Sequence, residues 1–165
     1  MQHNRFEGSV TRQRWIGLAG LGSALLLGAA FFFQALGWAP CAMCLWQRWP
    51  HAAAVAVAAL GLALPLKALA LAGAAATATS AGIAAFHSGV ELKWWDGPAS
   101  CTSSGQTLFG LDGDALVPGA SDVPVLVLCD TLTPFFLGLT MANWNLLASL
   151  ALTVAWLVAV TRAAA

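Results

Sequence analysis

The stretch WIGLAGLGSALLLGAAFFFQ, Trp15–Gln34, carries no charge along its whole length. About 20 consecutive apolar residues are what an α-helix needs to cross a bilayer core of roughly 30 Å. A secretory signal peptide is the rival reading, because Arg5, Arg12 and Arg14 precede the stretch and Ala35-Leu36-Gly37 resembles a small-residue cleavage site. The apolar run is longer than the ~7–15 residues of a signal-peptide core, and it ends in Phe31-Phe32-Phe33. It is therefore expected to remain as a first transmembrane helix.

Three further segments follow the same pattern. Trp49–Leu66 is a second, slightly short span, and Ala68–Phe86 a third, rich in Ala, Gly, Thr and Ser. Thr131–Thr161 is free of charge; Pro134 and the pair Asn143/Asn145 place the start of its spanning part near Met141. The chain is 59% hydrophobic and only 8% charged, with zero net charge and eight tryptophans, several near the ends of apolar runs. Soluble domains carry roughly a quarter charged residues, and Trp at span ends marks a membrane interface. Nothing basic enough to meet nucleic acid is present. The expected fold is an all-α membrane protein, a four-transmembrane-helix bundle in a single domain spanning residues 1–165.

Basic residues set the expected orientation. Arg5, Arg12 and Arg14 precede the first span, Lys67 lies between the second and third, and Arg162 follows the fourth. With four spans all five fall on one side, which the positive-inside rule makes cytoplasmic. The division is then a cytoplasmic tail (1–14), spans at 15–34, 49–66, 68–86 and 141–161, and a second tail (162–165). Loops 35–48 and 87–140 face outward, the longer joining helices 3 and 4, and all four cysteines lie in them. Lys67 leaves so short a link that the second and third spans should form an antiparallel hairpin. Gly20/Ala24/Gly28 and Ala72/Ala76/Ser80 recur every four residues, a spacing that lets helix backbones approach closely, although Ala and Gly are abundant throughout. The apolar pieces Val123–Leu128 and Phe135-Phe136-Leu137 are too short to span and are expected to lie along the membrane surface, as interfacial helix or extended chain.

The outward loops hold the chemistry. Cys41-Ala-Met-Cys44 is a Cys-x-x-Cys pair, two sulfurs within one helical turn, able to cycle between dithiol and disulfide. A helix beginning near Pro40 would lower both thiol pKa values through its N-terminal partial charge. Zinc is disfavoured, because Cys101 and Cys129 stand 28 positions apart with no local Cys or His at matched spacing. A structural bridge across three residues constrains the chain little, so the pair reads as redox-active. A Cys101–Cys129 bridge would on spacing alone be structural, worth about 3–4 kcal/mol in the chain-entropy model. The neighbours Ser100, Thr102, Ser103 and Ser104 instead suggest an exposed, mobile and therefore labile one.

Arg48 follows Cys44 by four residues, so on a continuous helix it shares that face and favours the Cys44 thiolate. Pro50 allows a break that would make Arg48 part of a cap. Arg48 reads either as a snorkelling anchor or as the holder of an anionic or hydrogen-bonding ligand. As the one arginine on the outer side, next to a reactive pair, it favours the second. His87 and Glu91, four residues apart, could handle the protons of a reduction, or His87 is a plain interface histidine. Trp94-Trp95 read as interface anchors. His3 and His51 carry no argument.

These motifs together resemble the DsbB family, bacterial inner-membrane thiol:quinone oxidoreductases. The resemblance rests on the spans, Cys41-Ala-Met-Cys44 with Gln47-Arg48, His87 through Trp94-Trp95 to Cys101, Cys129, and Phe136 to Trp144. It implies an enzyme of the bacterial inner membrane with both termini cytoplasmic and the cysteines facing the periplasm. Its catalytic residues would be Cys41, Cys44, Cys101 and Cys129, working as the disulfides Cys41–Cys44 and Cys101–Cys129. A ubiquinone or menaquinone would bind at Arg48, His87 and Cys44, and no metal is implied. A periplasmic DsbA-like thioredoxin-fold protein would deliver electrons through Cys101–Cys129 to Cys41/Cys44, and thence to the membrane quinone pool. Two other readings use the same residues: a reductase drawing electrons from quinol, like the vitamin K epoxide reductases, and a non-catalytic scaffold stapled by disulfides.

Overall fold

The computed structural model describes residues 2–64, 66–98, 101, 128–132 and 134–162. Four helices carry the chain: α1 Gln2–Ala35, α2 Ala42–Ala63, α3 Lys67–Glu91 and α4 Met141–Thr161. They pack as a ring in which α1 meets α2 and α4, and α3 meets the same two from the other side. A short antiparallel hairpin, β1 Pro134–Phe136 and β2 Leu139–Thr140, leads into α4. Both residues of its turn, Leu137 and Gly138, have positive φ, at 53° and 75°. This is the twist a two-residue hairpin turn requires; of the apolar piece Phe135-Phe136-Leu137, the two phenylalanines are extended chain and Leu137 is in the turn. Val123–Val127 lies outside the described residues.

Among the described residues, three helices are long and apolar enough to cross a membrane: Thr11–Ala35 within α1, then α3 and α4. α2 is a fourth helix whose early turns carry Gln47, Arg48 and His51, diluting its apolar character. α1 extends back to Gln2, so the expected N-terminal tail is helical. Pro50 does not break α2: it sits inside the continuous helix. Local adjustment and neighbouring groups allow this in membrane helices, where they satisfy the backbone that proline leaves unpaired. α4 begins at Met141, with Thr140 as N-cap accepting a hydrogen bond from the Asn143 N–H at 3.3 Å. α3 runs past Phe86 to Glu91 and ends as a Schellman turn. Trp94 N–H donates to Gly89 C=O at 2.9 Å and Lys93 N–H to Val90 C=O at 3.1 Å, with Lys93 in the left-handed region.

The inner end of the bundle, away from the cysteines, is close-packed. Ile16, Ala19, Ala58, Ala70, Ala74, Trp156 and Ala159 form one buried cluster. A Cβ on Gly73 would run into the Trp156 ring, and one on Gly20 into Ala58. Small residues do set the helix contacts, but not in the expected register. Gly20 is at a contact, whereas Gly28 is exposed with nothing near it. On α3 the buried line runs through Ala70, Gly73/Ala74, Thr77, Ser80/Ala81 and Ala84, leaving Ala72 outward.

Candidate functional site

The other end of the bundle gathers the C-termini of α1 and α3 and the N-termini of α2 and α4. Cys41 is the N-cap of α2, with extended backbone (φ −74°, ψ 169°), and its Sγ accepts from the Cys44 N–H at 3.3 Å. That geometry swings the two sulfurs together. They stand 2.8 Å apart as a dithiol, the Cys41 thiol donating to Cys44. The hydrogen bond from Cys41 holds Cys44 below the ordinary thiol pKa, aided by its bond with the Cys41 backbone and opposed by burial. Cys41 moves the other way, because it keeps the proton it donates and because it is buried. The helix N-terminus therefore does not lower both values: a proton leaving the pair leaves from Cys44, while Cys41 keeps its own.

The nearest atoms of Cys41, Cys44 and His87 all lie within 4.8 Å of one another. Two thiolates on a tetrahedral zinc stand roughly 3.7 Å apart, given Zn–S of about 2.3 Å. The two sulfurs here are 2.8 Å apart, too close for both to ligate one zinc.

Arg48 shares the Cys44 face because α2 is continuous, and it reaches across to α1. Its Nη1 donates to Gln34 Oε1 at 2.6 Å and its Nη2 to Ala30 C=O at 3.4 Å, while the guanidinium lies 5.0 Å from the centre of the Phe31 ring. Its Nε is buried with no partner. Beside it opens a cavity of about 540 Å³, walled by Leu26, Ala30 and Phe33 of α1, Phe135 of the hairpin and Trp144 of α4. Cys41, Cys44, Arg48, His87, Glu91 and Cys129 all line the same space. Phe33, Trp38 and Phe135 close one side, with ring centres 5.2–5.9 Å apart.

His87 and Glu91 point inward from the last turns of α3, 3% and 4% exposed. His87 Nε2 is 3.7 Å from Cys41 Sγ and 4.0 Å from Glu91 Oε1. Glu91 Oε2 accepts from the Thr140 hydroxyl at 2.6 Å, tying α3 to the start of α4. Trp94 is exposed, but Trp95 does more than touch an interface. It stacks on Phe86 at 5.7 Å, lies over Gly89 and donates to Phe86 C=O at 3.0 Å.

Cys101 and Cys129 are joined by a disulfide. The expected exposed, mobile arm is not what surrounds it. Cys101 is fully buried and Cys129 nearly so, in one cluster with Cys41, Met43 and Val90. The bridge docks on the dithiol's own helix turn, and Ser100 and Thr102–Ser104 lie outside the described residues. Lys93 and Asp130 form an ion pair beside Cys129, whose hydrogen bond holds Asp130 below the usual carboxylate range.

Sequence reasoning missed a polar chain behind the dithiol. Gln47 Nε2 lies 3.2 Å from Met43 C=O and 3.0 Å from His87 Nδ1. Asn145 Nδ2 donates to Gln47 Oε1 at 2.6 Å, and Asn145 Oδ1 lies 3.0 Å from His51 Nε2. Ser80 and Ser149 complete the ring around His51 at 3.0 and 3.3 Å. The Gln47 amide can only donate to His87 Nδ1, so the neutral ring carries its proton on Nε2, the side that meets the Cys129 backbone, Cys41 and Glu91. The partners are up to 98 positions apart, so no local spacing reveals them. The one sequence signal was the presence of Gln, His and Asn inside apolar runs.

A family model described as disulfide bond formation protein DsbB matches residues 12–159. No curated protein and no solved structure matches the chain.

Proposed function

The chain belongs to the DsbB family, whose members are oxidoreductases of disulfide bond formation, and from that premise we propose that it is an inner-membrane thiol:quinone oxidoreductase that reoxidises a periplasmic DsbA-like dithiol protein. The observation that carries the reading is the single buried cluster in which the disulfide Cys101–Cys129 meets the dithiol Cys41/Cys44, itself at the edge of the cavity. Two sulfur switches and an apolar chamber in contact are what a relay from a protein thiol to a lipid-soluble acceptor needs.

The cavity suits a quinone head group. Its volume falls within the ~300–1,000 Å³ of small-molecule sites, its walls are largely aliphatic and aromatic, and Arg48 keeps a buried, unpartnered Nε beside it. Arg48, His87 and Cys44 would hold the group. When bound, a ubiquinone or menaquinone supplies a two-electron, two-proton acceptor. A thiolate of the partner attacks the Cys101–Cys129 bond, forming a mixed disulfide and releasing a thiolate. Cys129, lying against Cys41, attacks the Cys41–Cys44 bond and frees Cys44. The partner's second thiolate closes its own disulfide and frees Cys101, which re-forms its bond with Cys129, so that both electrons collect on Cys41 and Cys44. Cys44, the sulfur that ionises first, lines the cavity and would face the acceptor; Arg48 sets a positive charge on the same face. Oxidation closes Cys41–Cys44 and readies the relay for another round. All four helices span in this reading, with basic residues and both termini on the cytoplasmic side and the cysteines outward.

Purified protein mixed with a reduced DsbA-type substrate and a quinone should consume substrate thiols while quinone absorbance falls. Substrate that stays reduced with quinone in excess rules the oxidase out. A Cys41→Ser variant that keeps full turnover would favour the disulfide-stapled scaffold, in which that sulfur does no chemistry.

A further inference from the structure

A proton is missing from the reaction as the dithiol alone could perform it. Once Cys44 has ionised, the pair holds two electrons but one proton, and a quinol needs two. Glu91 is a buried carboxyl lining the same cavity, and no lysine or arginine among the described residues bonds it. Burying a carboxylate without a cation is costly, and a carboxyl in that position tends to hold a proton. Its Oε2 is fixed by the Thr140 hydroxyl, and its Oε1 faces the proton-bearing Nε2 of His87, which also faces Cys41.

Building on the thiol:quinone reading, we propose that Glu91 stores the proton given up when the Cys44 thiolate forms and delivers it as the second proton of quinone reduction, with His87 Nε2 set between it and the sulfurs. Cys41 gives up its thiol proton and Glu91 its carboxyl proton, while the two sulfurs give up two electrons and join as a disulfide. Two electrons and two protons are what turn a quinone into its quinol, and Glu91 is left as carboxylate. It regains a proton when the next dithiol forms and Cys44 ionises again.

The surrounding charges support this coupling. Among the described residues, the titratable or charged groups lining the cavity with Glu91 are Cys41, Cys44, Arg48 and His51 from α2 and His87 from α3; Thr140 of the hairpin and Asn145 of α4 add uncharged polar groups, and Lys93 and Asp130 are taken up by each other. A charge on Glu91 raises the Cys44 pKa while Arg48 lowers it, Glu91 having the larger effect. An empty carboxylate thus discourages the thiolate, and a filled carboxyl permits it.

The test is Glu91→Gln, which keeps an acceptor for Thr140 but has no proton to give. In reduced, quinone-free protein, thiolate absorbance near 240 nm should show Cys44 titrating at lower pH than in wild type. Turnover should nevertheless fall, by about 10²-fold as for loss of a general acid, and lose the alkaline decline that marks emptying of the carboxyl. Glu91→Asp should restore that decline in part. A merely structural residue would not make the thiolate easier to form and the reaction slower at once. An unmoved Cys44 titration, or unchanged turnover with its alkaline decline intact, overturns the inference. If wild type itself reduces no quinone, the broader reading falls, and the titration still reports whether Glu91 governs Cys44.

Discussion

The two ends of this bundle are built on opposite principles. At the inner end Trp156 is pressed against Gly73 and Ala58 against Gly20, with no room for another methyl group. At the outer end the same helices diverge around a cavity of about 540 Å³ and fill the space behind it with Gln47, His51, His87, Glu91 and Asn145. Lipid tails are as apolar as leucine, so helices in a bilayer are held by close packing and hydrogen bonds and gain little from hydrophobic burial. The inner end uses the first device and so holds the bundle together. The outer end uses the second and can keep an open chamber.

Replacing one residue at each end should separate these roles. Cys44→Ser removes the ionised sulfur, and quinone-linked thiol oxidation should drop to background while helical content and melting temperature stay unchanged. If Cys44→Ser unfolds the protein instead, the outer end is structural and the division fails. Trp156→Ala should cost about 3–5 kcal/mol, the usual loss for emptying a large aromatic site, read by denaturant titration in detergent. Folded Trp156→Ala protein should still oxidise thiols. Trp156→Phe should cost under about 1.5 kcal/mol, since the indole N–H has no partner to lose.

Within the outer end, the two thiols of the first pair should differ. Cys44 is held below the ordinary thiol range chiefly by the hydrogen bond from Cys41, and Cys41 is raised by donating it. Lowering the pH through ~8.5, the pKa of a free cysteine, should leave Cys44 reactive towards iodoacetamide and Cys41 unlabelled, as mass mapping would show. In Cys41→Ala, Cys44 loses its donor and its labelling should decline at higher pH than in wild type. Equal labelling of both thiols at pH 7 would contradict the opposite shifts of Cys41 and Cys44.

How far the sequence revealed this contrast depended on the range of each signal. Charge-free length marked the helices, and Met141 and Thr161 bound α4 as expected. Four-residue spacing on α2 placed Cys44 and Arg48 on one face once Pro50 proved compatible with the helix. The contact register of α3 was not legible, because Ala and Gly occupy nearly every position and a stripe gives no contrast. The burial of Cys101 was hidden too: its serine-rich neighbours describe the local chain, whereas its surroundings come from α2 and α3. His51 was passed over because its partners, Ser80, Asn145 and Ser149, come from other helices.

That network gives a smaller effect than either end's main feature. Asn145→Leu removes the donor to Gln47 and the group facing His51 Nε2. Interhelical hydrogen bonds in membranes average about 0.6 kcal/mol and reach about 1.7, so the loss of stability should fall in that range. Turnover should drop more than stability, since Gln47 orients His87. Equal losses would mean the network only holds helices together.

The smallest expected effect lies at the mouth of the site. Lys93 is well exposed, and its hydrogen bond holds the Asp130 carboxyl below the ordinary range. A depressed carboxylate stabilises the fold above its unfolded pKa, ~3.9, and loses that contribution as pH falls through its folded value. Solvent and salt screen a pair this exposed, so Asp130→Asn should leave the melting temperature almost unchanged at neutral pH. What should change is local: with the strap beside Cys129 released, dithiothreitol should reduce Cys101–Cys129 modestly faster. Raising ionic strength should produce the same increase in wild type and none in the variant. A wild-type reduction rate indifferent to salt would show that burial against Cys41 and Val90 alone guards the bridge.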